Sequence, residues 1–141
     1  KENTSRSGLT AIAMARQAAL LLLTVHGHEI PDYPVGHDFC RQALDLDLRA
    51  KRDHTEAILA AMGGLSKARF SHFKSLLHLS DEALETADRY NLDESRLRHV
   101  IQLEPHFHSE MVTQIVQFNL TVKQVQAMCK ASADEPTPPD P

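Results

Sequence analysis

Apolar residues recur along this chain at the three- and four-residue spacings of a helix over nearly its whole length. Alternation with period two never lasts long enough to make a strand. Thr10 caps a first helix that carries Ile12, Ala15, Ala19, Leu22 and Leu23 to a stop at Gly27. Pro31 and Pro34 keep the stretch from His26 to Pro34 out of helix. A second helix is predicted from about Val35 to Arg49, with Phe39, Ala43 and Leu46 on one face. A third covers roughly Asp53 to Met62, with Asp53 as its cap, Glu56 three residues on, and Gly63-Gly64 as its stop. Ser66 caps a fourth, which runs to about Leu77 with Phe70, Phe73, Leu76 and Leu77 as its apolar stripe. Ser80 opens a fifth with Ala83, Leu84 and Ala87 inward, and Asp93 a sixth with Leu97, Val100 and Ile101. After Pro105 a seventh carries Met111, Ile115, Val116 and Phe118, and Thr121 caps an eighth with Val122, Val125 and Met128 inward. The pattern predicts an all-α bundle of about eight helices with short connections.

The third and fourth helices carry the sharpest chemical signal. An Ala- and Leu-rich helix, a Gly-Gly-Leu turn and a Ser-capped second helix form the helix-turn-helix pattern. Ala57, Ala60 and Ala61 are read as the small face that lets the second helix cross the first closely. The outer positions of the second helix are Lys67, Ala68, Arg69, Ser71, His72, Lys74 and Ser75, donors or small residues with no acid among them. Such a face can touch bases and phosphates. The same pattern also fits any helical hairpin in a bundle.

Composition changes this picture in two ways. Aromatic residues make up 5% of the 141 residues and Trp is absent, so the core must be aliphatic, which suits helices. The net charge of −4 speaks against a nucleic-acid binder when taken whole. Divided along the chain it reads differently. Residues 49–79 hold six Lys or Arg against two acids, whereas residues 80–141 hold five against eleven. The basic charge therefore gathers on the candidate reading element, as phosphate neutralisation requires.

Several segments, in order, resemble the ParB/Spo0J family of chromosome and plasmid partition proteins. Glu2-Asn3-Thr4-Ser5-Arg6, with Leu9-Thr10-Ala11-Ile12 and Ala15 after it, resembles the family's E-N-x-x-R motif and following helix. Gly64-Leu65-Ser66-Lys67 with Phe70 and Leu76-Leu77-His78-Leu79 resembles its recognition helix and exit. Leu92-Asp93-Glu94-Ser95-Arg96-Leu97-Arg98 resembles its L-S-E-x-H-A-R segment, and Asn119-Leu120-Thr121-Val122-Lys123-Gln124-Val125 its last G-L-T-V-R-Q helix. The resemblance covers most of residues 2–130. It implies the central DNA-binding domain of a partition-type protein, of a divergent branch from a plasmid or integrative element. It further implies double-stranded DNA as partner, a centromere-like or operator palindrome as site, a homodimer formed through regions outside this sequence, and a ParA-type ATPase. The expected location is cytoplasmic, on nucleoid or plasmid, without a membrane. Ser66, Lys67, Arg69, Ser71, His72, Lys74, Ser75, Arg96 and Arg98 are the DNA-contacting residues it points to. Glu2, Asn3 and Arg6 match part of the motif that binds CTP and magnesium, a remnant expected to be inert here. Residues 24–52 depart from the family as an insertion, and Arg96 stands where a His is usual.

The expected organisation is a helix-turn-helix domain over residues 1–130, with residues 1–8 as the nucleotide-motif remnant, followed by a disordered, acidic, Pro-rich linker over 131–141. The start at Lys1 rather than Met fits the middle piece of a longer protein. The chain is read as no enzyme: it has no nucleophile elbow, Walker A or GxGxxG sequence. Cys40 and Cys129 stand far apart, which fits neither a disulfide framework nor a cysteine zinc site, and His26, His28, His106 and His108 are read as surface histidines. Two other readings stay open: a helical protein-interaction module, or a transcriptional repressor domain without partition activity.

Overall fold

Eight α-helices follow one another through residues 9–134, which are the residues the computed structural model describes, and no strand occurs among them. They are α1 (Ala11–Val25), α2 (His37–Arg41), α3 (Arg52–Ala61), α4 (Lys67–Ser75), α5 (Asp81–Arg89), α6 (Glu94–Val100), α7 (Pro105–Phe118) and α8 (Val122–Asp134). Short 3-10 turns lie at Gln42–Asp45, Leu48–Lys51 and Leu76–His78.

α1 is the hub. The Thr10 hydroxyl accepts from the Ala13 N–H at 3.0 Å and so caps it. Ile12, Ala15, Ala18, Ala19, Leu22 and Leu23 are all buried, and α2, α3, α4 and α5 pack around it. Alanines at 15, 18 and 19 leave room for those helices to approach. α4 brings Phe70 and Phe73 into this core, and the turn after it adds Leu76 and Leu77. A second layer pairs α5 with α7 and α6 with α8.

The stop between α3 and α4 follows from backbone chemistry. The Gly64 N–H donates to Leu59 O at 2.9 Å and the Gly63 N–H to Ala60 O at 3.0 Å, the paired bonds of a Schellman ending. Both glycines have left-handed φ, +89° and +84°, although a Cβ at either would meet nothing within 4 Å. The glycines are needed for their conformation rather than for space.

The structure corrects several sequence expectations. The predicted second helix breaks into α2 and two 3-10 turns separated by extended Leu46. The Asp47 carboxylate accepts from the Arg49 N–H at 2.9 Å, a local bond that competes with helix. Asp53 lies in the first turn of α3 and is not its cap. Ala57, Ala60 and Ala61 are exposed. The inner face of α3 is Thr55, Ile58 and Met62, turned toward α1 and the preceding turn. Val122, expected inward, is exposed, and so is Phe118 at the end of α7, on the other side of the left-handed Asn119. His108 is buried, not a surface residue. α8 continues to Asp134, so residues 131–134 are helix rather than linker; alanines 131 and 133 favour helix, and no Pro stands between Pro105 and Pro136. Glu2, Asn3 and Arg6, with the rest of the expected linker, lie outside the described residues.

Candidate nucleic-acid interface

The local start of α4 is set by Ser66, whose Oγ accepts from the Arg69 N–H at 3.1 Å. This fixes where Lys67, Arg69, Ser71 and His72 emerge. Lys67, Ser71 and Arg69 are exposed, and His72 and Ser75 are half-buried. Lys67 makes no ion pair among the described residues and presents an open ammonium at the first position of the helix.

Arg69 is held on two sides. Its guanidinium lies 4.8 Å over the Phe73 ring. Its Nη1 donates to Glu94 Oε1 at 2.9 Å. Glu94 stands at the first position of α6, with its side chain 1% exposed, and also accepts from Arg98 one helical turn on. That second pair is a two-pronged fork: Arg98 Nε reaches Oε2 at 2.9 Å and Nη2 reaches Oε1 at 2.7 Å. Arg98 Nη2 also lies 3.3 Å from His72 Nδ1. The hydrogen bond to Glu94 pushes the Arg98 pKa up further. α4 and α6 thus bring Arg69, Arg98 and His72 into one cluster around a single carboxylate.

Two residues expected beside them are placed elsewhere. Lys74 is half-buried, and its Nζ donates to Leu46 O. It is therefore not on the open outer face that helical spacing predicts. Burial lowers its pKa, against the pull of Asp47 and Asp45. Arg96 turns toward α8: Nε donates to Asp93 Oδ1 at 2.5 Å and Nη1 to Leu120 O at 3.1 Å. Asp93 holds the N-cap position of α6 without a capping bond, since its carboxylate serves Arg96.

Sequence reasoning missed two contributors. Glu94 was visible as an acid four residues before Arg98 at a helix start, a spacing that pairs charges. Arg41 had no such signal. Its Nε donates to Leu77 O at 2.9 Å and its Nη2 to Leu79 O at 2.8 Å, which satisfies carbonyls where α4 exits. Its Nη1 lies 2.7 Å from both Asp38 and Asp81.

No three His, Cys, Asp or Glu converge on a metal-sized point among the described residues, and no helix there is long and apolar enough to cross a membrane. A family model described as the ParB HTH domain matches residues 43–134, from the first 3-10 turn through α8. No curated protein and no solved structure matches the chain.

Proposed function

The chain belongs to the ParB HTH domain family, whose helix-turn-helix binds DNA, and from that premise we propose that it recognises a specific duplex site, a centromere-like or operator palindrome, in plasmid or chromosome partition or in mobile-element maintenance. The observation that carries this reading is the family match spanning α3, the glycine turn and α4, with donors and no acid on the outer side of α4. In this reading α4 enters the major groove. Lys67 and Arg69 meet base edges there, guanine above all, and Ser66, Ser71 and Ser75 contact bases or phosphates. His72 and Arg98 reach phosphates from the flank. Arg96 and Lys74 support the element from behind.

The domain acts by binding, without catalysis of its own. Dimerisation, a ParA-type ATPase partner and CTP with magnesium at Glu2, Asn3 and Arg6 belong to this proposal as properties of the longer protein. So does association with a nucleoid or plasmid. A second reading, a helical protein-interaction module, draws on exposed Phe118 and Val122. Selection of bound duplexes from a random pool separates the two. The proposal predicts enrichment of one sequence with two-fold symmetry. Enrichment of nothing would overturn it and favour the interaction module.

A further inference from the structure

Among the described residues Glu94 is the one buried acid. Withdrawing an ionised carboxylate from water is costly unless it is paired and fully hydrogen-bonded. Among the described residues its hydrogen bonds come from two arginines on different helices, and both keep much of their surface in solvent: Arg69 is 45% exposed and Arg98 40%. Glu94 engages one N–H of Arg69 and the inner edge of Arg98. Beyond these bonds, Arg98 Nη2 also lies 3.3 Å from His72 Nδ1, and a guanidinium's five N–H donors exceed what Glu94 and His72 engage. Phe73 closes one face of Arg69, so that side chain is constrained by a ring and a carboxylate together.

We infer that Glu94 is a positioning residue for DNA recognition: it holds the guanidiniums of Arg69 and Arg98 at a fixed separation, so that α4 and α6 engage one stretch of duplex in a single register. This rests on the DNA-binding reading given above. The physical gain is pre-organisation. Two long side chains that are ordered before binding lose less conformational freedom on meeting the duplex, and planar forks held at fixed angles discriminate between partners. Glu94 reaches the DNA only through the arginines.

The inference opposes simple electrostatics. Removing an acid beside a phosphate-binding surface should strengthen DNA binding, whereas removing a positioning group should weaken recognition of the correct site. Affinities are read by fluorescence anisotropy at one salt concentration and below each variant's unfolding midpoint. The probes are the duplex that the wild-type chain enriches from a random pool and a scrambled duplex of the same composition. For Glu94→Gln, the ratio of selected to scrambled affinity is expected to fall about tenfold. When Arg69→Ala and Arg98→Ala are already present, Glu94→Gln should change the ratio no further. A Glu94→Gln ratio equal to or above that of wild type overturns the inference, and so does an equal loss in the arginine-free background, which marks a purely structural role. Should Glu94→Gln not fold, Arg98→Lys keeps the charge but not the fork, and it must show the same loss; a retained ratio overturns the inference. If Arg69→Ala with Arg98→Ala leaves the ratio at the wild-type value, the inference fails while the DNA-binding reading stands; if no duplex is enriched at all, the DNA-binding reading itself fails and the inference with it.

Discussion

At His108 one backbone N–H decides the protonation state. The Ser80 N–H donates to Nδ1 at 3.2 Å, so Nδ1 is the acceptor and Nε2 carries the proton, which it gives to Leu103 O at 2.8 Å. A second proton would set two donors against each other in a buried site. Burial, the largest cause, lowers the His108 pKa below its ordinary 6.5, and nearby His106 and His78 add to the effect against hydrogen bonds to Leu103 and Ile101. A histidine with a lowered folded pKa contributes stability that is complete above the unfolded value and is lost as pH falls through the folded one. Thermal unfolding from about pH 7.5 to about pH 5 should therefore show a falling midpoint below about 6.5. His108→Gln should lower the midpoint at the neutral end and flatten the acid limb. The limb should not vanish, because burial and Arg16 also lower the pKa of His37. An acid limb of unchanged steepness in the variant would contradict this.

Among the elements, α4 depends on a segment that looks dispensable in the sequence. The stretch over 24–52 reads there as an insertion, yet Cys40 and Ala43 are fully buried in the common core and Arg41 satisfies the carbonyls of Leu77 and Leu79. A guanidinium at a helix exit also meets the negative end of its dipole. Arg41→Ala should cost about 1–3 kcal/mol, measured by denaturant unfolding. An unchanged midpoint would show that α4 is braced by its apolar face alone.

The contrast between legible and illegible elements has a physical basis. The buried faces of α1, α4 and α5 are legible because caps and periodicity are local: Thr10, Ser66 and Ser80 all accept the N–H three residues on. The break at Leu46 is not, because the apolar spacing runs through it while the Asp47 carboxylate accepts from the Arg49 N–H just beyond, a local bond that competes with helix. Nor is the outward turn of Ala57, Ala60 and Ala61, which depends on which neighbour α3 packs against. At the site, spacing places Lys67 and Arg69 on one helix, but joining Arg69 to Arg98 requires the approach of α6.

Taken as a whole, the molecule carries −4, while α4 holds Lys67, Arg69 and Lys74 and no acid. Part of the acid is engaged internally: Glu94 holds Arg69 and Arg98, Asp81 meets Arg41, Asp93 meets Arg96, and Asp88 accepts from Thr10. The arginines engaged in this way are fixed in direction, and Lys67 remains as the open charge at the start of α4. If α4 reads the duplex, Lys67 is the contact whose removal disturbs the fold least, because its side chain is exposed. The decisive measurement is the affinity of Lys67→Ala for the selected duplex beside that of the wild-type chain. A loss of about 1–3 kcal/mol, larger than on scrambled DNA, is the predicted result. Equal affinity of the two proteins for the selected duplex would show that α4 does not read it through Lys67.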